Sequence, residues 1–291
     1  MSHPAPPLPF PARASDAHKG DFGRVLLIGG SRGMAGSIAL SSMAALKTGS
    51  GLVSTAIPDR CLETVAGFHP GIMTIPLAET GDGQFSLSAT LPSIDSFDAV
   101  GVGPGMRTGP GSLRIVESLL EKNDCLRVMD ADAINLLSEH RLLESPALPR
   151  DQSKLVLTPH PGELARLTGV SAGDRDGQLA AAESLVEKHG MTIVVKGGPT
   201  VVVGRAADGR GAVRFVNNTG NPGMASAGSG DVLTGIVTSL LGQRLSPWDA
   251  ARLGVFVHGL AGDIAAANHS QPAMTCVELL QSLPEAIGLL N

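Results

Sequence analysis

Residues 24–57 read RVLLIGGSRGMAGSIALSSMAALKTGSGLVSTAI. RVLLI (24–28) and LVSTAI (52–57) are short apolar runs rich in β-branched residues, which is the composition of a buried strand. Between them, SIALSSMAALK (37–47) is a helical stretch of small residues, and Gly49 supplies its stop. Strand, helix and strand in that order are the repeating unit of an α/β sheet.

The same alternation continues to the C-terminus. Strands are expected at DAVGVG (98–103), CLRVMD (125–130), KLVLT (154–158) and TIVVKG (192–197). Helices are expected over 111–122, from Ala133, from Pro161-Gly162-Glu163, and over 175–189. TVVVG (200–204) and VRFVNN (213–218) read as an antiparallel pair across a Gly-rich turn. In VLTGIVTSLLG (232–242), Val232, Leu233, Ile236, Val237, Leu240 and Leu241 recur at helical period. Ser246-Pro247-Trp248-Asp249 then opens a last long helix, with serine as N-cap and proline at N1. The stretch 59–97, rich in Gly, Pro and Ser, is weaker in pattern, and no element is assigned to it. The fold class is α/β: a mostly parallel central sheet with helices on both faces. Residues 1–18 are expected to form a flexible Pro-rich arm, and 19–291 a single domain.

Composition narrows the function. A chain of 291 residues sits near the upper limit for one core. Its formal charge of −5 argues against a nucleic-acid binder, although a helix N-terminus and one Lys suffice to hold a phosphate. Cys61, Cys125 and Cys276 are far apart and show no metal spacing, which suits a reducing cytoplasm. No uninterrupted apolar run reaches about 18 residues, so no membrane span is expected. The N-terminus lacks the pattern of a secretory signal.

In an open α/β sheet, ligands sit beyond the carboxyl ends of the strands. Those ends here are small or polar: Gly29-Gly30-Ser31, Gly103-Pro104-Gly105, Asp130-Ala131-Asp132, Thr158-Pro159-His160, Lys196-Gly197-Gly198 and Asn217-Asn218-Thr219. GGSRGMAG (29–36) spaces its glycines as G-x-x-G-x-x-G, which is not the dinucleotide fingerprint. The strongest local signal is GNPGMASAGSGD (220–231). Gly228, Ser229 and Gly230 offer consecutive amides at a helix start, an anion hole for phosphate. Asp231 either complements the helix dipole or accepts a proton from a hydroxyl about to be phosphorylated. His160 and Glu163 are a poor metal pair without a third ligand; they are either a ligand-facing strand end or a helix cap with a surface histidine. Lys196 either meets a nucleotide phosphate or snorkels to solvent. Asp130 and Asp132 either bind Mg²⁺ through water or cap the following helix, the cap being the stronger reading for Asp132.

Taken in order, KGDFGRVLLIGGSRGMAGS, VGPGM, VMDADAINLL, LTPHPGELARL, VVKGGPTVV, NTGNPGMASAGSGDVLTGIV and LGVFVHGLAGDIAA resemble the ADP-dependent (S)-NAD(P)H-hydrate dehydratases. The likeness runs from about Lys19 onward. It implies a ribokinase-like fold and a cofactor-repair reaction. ADP phosphorylates the hydroxyl of a hydrated NADH or NADPH, and phosphate elimination restores the cofactor and leaves AMP. By that resemblance Asp231 is the base, and Gly228, Ser229 and Gly230 form the anion hole. Lys196, Gly197, Gly198, Pro199, Thr200 and Gly230 contact the nucleotide, and Ser37, Gly105, His160 and Asp231 contact the substrate. It further implies Mg²⁺ on the diphosphate, a cytoplasmic homo-oligomer, by family a tetramer, and a separate epimerase. Three positions depart from the family pattern: Ala227 for glycine, Ser37 for alanine and Met34 for tyrosine. Two other readings stay open at this point. One is an ATP-dependent kinase of a small alcohol on the same fold; the other is a non-catalytic nucleotide-binding protein.

Overall fold

The computed structural model describes residues 4–122 and 124–290. Its strands are β1 (Arg24–Ile28), β2 (Leu52–Pro58), β3 (Ile72–Leu77), β4 (Ala99–Val102), β5 (Leu126–Met129), β6 (Leu155–Leu157), β7 (Thr192–Val195), β8 (Val201–Arg205) and β9 (Ala212–Val216). They form one sheet in the order β3-β2-β1-β4-β5-β6-β7-β8-β9. Pairing is parallel from β3 through β7 and antiparallel at β7–β8 and β8–β9. The helices are α1 (Ala35–Lys47), α2 (Leu62–Phe68), α3 (Pro110–Leu120), α4 (Asp132–Glu139), α5 (Pro161–Thr168), α6 (Arg175–His189), α7 (Ser229–Gly242), α8 (Pro247–His269) and α9 (Cys276–Gly288).

Both faces of the sheet are covered because each strand feeds two cores. Val25 and Leu27 of β1 pack with α1, α2, α7, α8 and α9, while Leu26 and Ile28 pack with α3, α4, α5 and α6. The two-residue period of a strand sends alternate side chains to opposite faces, so continuous apolar runs are the expected text of such strands. α8 spans 23 residues and its most apolar window has a mean hydropathy of 1.2, enough by length and composition to cross a membrane. Of its most apolar window, 72% is buried inside the protein, so it is the central helix of the first core.

The structure corrects the sequence expectation in three places. The stretch 59–97 does hold elements, α2 and β3. β3 is an edge strand with only Ile72 and Leu77 buried, so its periodicity is weak. The helix opened by Ser246 is not the last: α9 follows, started by a Thr275–Glu278 capping box and disguised by Pro284 in its interior. α7 begins at Ser229, within the glycine segment itself. Of the N-terminal stretch, Leu8 and Phe10 pack against the first core, and the Arg13 guanidinium lies 3.9 Å from the Phe22 ring centroid.

Candidate active site

The parallel strands all end on one edge, and hydrogen bonds knit their loops together. Gly30 N–H donates to the Pro104 carbonyl at 2.8 Å, and Ser31 Oγ donates to the Gly105 carbonyl at 2.8 Å. Asp130 N–H donates to the Val102 carbonyl at 3.0 Å, and Lys196 N–H to the Pro159 carbonyl at 3.0 Å. β1 and β4 are neighbours in space but not in sequence, which marks the switch point of the sheet. Gly105 lies against Met34 and Ser37 here, and Met34 is 41% exposed at the rim.

The opening of α7 faces this edge. Gly228 is its N-cap at φ 88°, a left-handed conformation natural to glycine, and a Cβ there would meet Cys276 Sγ and Leu40 Cδ1 at 2.8 Å. The amides of Gly228, Gly230 and Asp231 donate to no acceptor among the described residues. Ser229 N–H reaches the Ser226 carbonyl at a long 3.3 Å. The segment expected from the sequence to form an anion hole therefore has free donors at Gly228 and Gly230, a partly engaged one at Ser229, and an additional one at Asp231.

Asp231 is half-buried, with Ser37, Asp130 and Lys196 as its neighbours. Burial first, then the negative charge of Asp130, push its carboxyl up to about 6, against the opposing hydrogen bond from Ser37 and the charge of Lys196. Ser41 Oγ donates to the Asp231 carbonyl at 2.7 Å, which ties α1 to the first turn of α7.

Lys196 does not snorkel. Its Nζ sits 2.8 Å from Asp130 Oδ1, and a Cβ on Gly230 would lie a tight 3.2 Å from it, so the ammonium lies directly against Gly230. Burial opposes its charge, but Asp130, Glu163 and Asp231 outweigh burial and hold the ammonium above its ordinary value. Asp130 is 1% exposed, and its other oxygen accepts from Thr234 Oγ1 at 2.7 Å. Asp132 is not the cap of α4, as the sequence suggested: Ala131 is, and Asp132 instead accepts from Arg107 N–H at 2.7 Å and Asn135 Nδ2 at 3.2 Å.

His160 is the N-cap of α5, accepting through Nδ1 from Gly162 and Glu163 amides at 3.0 and 3.3 Å, while Glu163 accepts from His160 N–H at 2.8 Å. The ring stays half exposed on the strand-end edge. Among the described residues no three His, Cys, Asp or Glu side chains converge as a metal cage. The loop Lys196–Thr200 is mostly exposed beside Lys196. Arg175 braces it with Nη1 to the Lys196 carbonyl at 3.0 Å and Nη2 to the Pro199 carbonyl at 2.7 Å, and Thr200 Oγ1 donates to the Gly197 carbonyl at 3.0 Å.

Ser37, Gly105, Gly230, Asp231 and Lys196 thus meet in one place; His160 adjoins them through Glu163, which faces Lys196. Sequence reasoning missed Thr234, Arg175, His258 and Asp263. His258 Nε2 lies 2.9 Å from the Ser229 carbonyl, and burial pushes its ring down to about 4, so the neutral ring donates. Asp263 accepts from Gly220 N–H at 2.8 Å and Asn221 Nδ2 at 2.9 Å and so holds the GNPGM loop. A lone polar residue in the apolar text of α8 was the available signal for both.

The family model for NAD(P)H-hydrate dehydratase matches residues 25–285. A bifunctional NAD(P)H-hydrate repair enzyme of Moorella thermoacetica is 42% identical over 97% of this chain and 52% of its own length. This chain therefore spans about half the length of several of the curated relatives it matches. An ADP-dependent (S)-NAD(P)H-hydrate dehydratase of Neisseria meningitidis is 38% identical over 88% of this chain and 81% of its own. Among solved structures, the ADP/ATP-dependent NAD(P)H-hydrate dehydratase of Bacillus subtilis, co-crystallized with ATP/Mg²⁺, superposes with a TM-score of 0.82 at 26% identity, covering 97% of this chain and 95% of that one. Over nearly its whole length, in sequence and in fold, the chain belongs to the NAD(P)H-hydrate dehydratase family.

Proposed function

We propose that the protein restores NADH or NADPH from the S epimer of the hydrated cofactor, using ADP and releasing AMP and phosphate. The observation that carries this reading is Asp231: a carboxyl held near neutrality in the first turn of a helix whose opening amides are free. A site that only bound nucleotide would gain nothing from a negative charge beside the phosphate. A carboxylate that takes the proton of an attacking hydroxyl uses that position.

The Lys196–Thr200 loop holds the nucleotide, and the amides of Gly228, Ser229, Gly230 and Asp231 receive the migrating phosphoryl group. Asp231 removes the proton from the ring hydroxyl as its oxygen bonds to the terminal phosphorus and AMP departs. The C–O bond then breaks with its electron pair leaving on phosphate, the adjacent ring carbon gives up a proton to solvent, and the ring double bond returns. Ser37, Gly105 and His160 line the cofactor side. The residues present fit an Mg²⁺ that arrives on the diphosphate and keeps its waters, since Mg²⁺ is commonly held by substrate phosphates. When bound, it neutralises phosphate charge. The relatives named bifunctional, about twice as long, support a partner epimerase that supplies the S form.

The test is to supply ADP and hydrated NADH and follow absorbance at 340 nm. Recovery with one AMP and one phosphate per NADH is expected. Phosphorylation of an added alcohol with no recovery would replace this reading with a kinase.

A further inference from the structure

We propose that Asp130 is the positioning residue of this site: with Thr234 it pins the Lys196 ammonium beneath Gly230, so that the ammonium and the opening amides of α7 meet the same phosphoryl group of a nucleoside diphosphate. The proposal rests on the dehydratase reading for the identity of the nucleotide, and on the arrangement of the side chains for everything else.

Asp130 ends β5 on the ligand edge, almost fully buried, and each carboxylate oxygen has one partner: Lys196 Nζ at 2.8 Å and Thr234 Oγ1 at 2.7 Å. Its backbone is held as firmly, with its N–H on Val102 of the neighbouring strand and the next residue, Ala131, at φ 49°. A non-glycine residue in that region persists only where its surroundings over-determine it. The groups facing Lys196 come from five elements: Asp130 after β5, Glu163 on α5, Asp231 and Thr234 on α7, His258 on α8, and the lysine's own loop after β7. Asp132 on α4, Ser37 on α1 and Cys276 on α9 face Asp231.

One ammonium among three carboxylates has a choice of partner, and only one choice leaves the site able to work. Paired with Asp231, it would tie up the proton acceptor and leave its place under Gly230. Paired with Asp130, it stays where a Cβ on Gly230 would be 3.2 Å away, next to the free amides. Asp130 therefore keeps the cation and the base apart.

The test is a double-mutant cycle. Calorimetry measures ADP affinity for Asp130→Asn in the wild-type and Lys196→Gln backgrounds, alongside the pH dependence of kcat/KM. Removing a carboxylate near a phosphate site by itself predicts tighter ADP. The positioning role predicts the opposite: about tenfold weaker ADP in the wild-type background and less than a twofold change with Lys196→Gln, because the effect passes through the lysine. The acid limb of kcat/KM is expected to move down by about one pH unit as Lys196 turns to Asp231. Equal weakening in both backgrounds, unchanged or tighter ADP, or an unmoved acid limb would overturn the proposal. Thr234→Val, close in shape, covers the case where Asp130→Asn does not fold: about threefold weaker ADP is expected, absent with Lys196→Gln. The binding cycle decides on Asp130 even where wild-type protein fails to repair hydrate, an outcome that removes the dehydratase reading alone.

Discussion

Asp231 is held where its own charge is disfavoured, and that is the physical content of its proposed role as a base. Its carboxyl titrates at about 6 in the fold against 3.8 ordinarily, so it is ionised at neutral pH yet holds a proton well enough to accept one. Asp231→Asn is expected to lower kcat by at least about a thousandfold while ADP still binds, because losing a negative charge does not weaken phosphate affinity. Calorimetry with ADP beside a 340 nm assay checks both halves, and unchanged turnover would refute the role. The same residue opposes folding. Above pH 6 both folded and unfolded chains carry it ionised, and the folded chain bears the whole penalty. Below about 4 both are protonated and the penalty is gone. Asp231→Asn should thus raise stability at pH 8 by about 2 kcal/mol, and the gain should fade as pH drops through 6 toward 4. Urea unfolding of the two proteins at pH 4, 6 and 8 measures it.

α7 is aimed by its neighbours rather than by its own sequence. Ser41 of α1 holds the Asp231 carbonyl and His258 of α8 holds the Ser229 carbonyl, so two helices clamp its first turn. Burial, not the hydrogen bond, keeps the clamp from α8 a neutral imidazole. His258 titrates at about 4 in the fold and 6.5 ordinarily, so below pH 6.5 the unfolded chain binds a proton that the folded chain refuses. Stability should fall as pH drops from 6.5 to 4, and His258→Gln, which keeps a donor, should soften that fall; thermal melts across the range report it. At the N-terminus of α8, Ser246 Oγ accepts from Asp249 N–H at 3.1 Å, so Ser246→Ala should cost about 1 kcal/mol and lower Tm by about 2 °C, with activity intact.

Across the whole molecule, the strands make the two cores inseparable. Every central strand gives alternate side chains to each face, so neither helical layer can leave without exposing the sheet that serves the other. Unfolding followed by fluorescence of Trp248, packed against Gly204 of β8, should therefore coincide with loss of far-UV circular dichroism. Separate transitions would divide 19–291 into more than one unit.

Local pattern carried most of the architecture. The α/β class, the positions of the buried strands along the chain, the antiparallel β8–β9 pair and the Ser246 cap are all written in neighbouring residues, because strand burial and helix capping depend on spacing along the chain. β3 and α9 were not readable, one because an edge strand buries little and the other because Pro284 interrupts its text. The glycine segment could be read as a candidate anion hole for the same local reason: small residues permit a left-handed cap and leave amides without chain partners. Which partner Lys196 takes, where Asp130 points and how strongly Asp231 holds its proton were decided only by the tertiary structure. These depend on charges brought together from β5, α5, β7 and α7, and a charge acts through distance in space, which no spacing in sequence records.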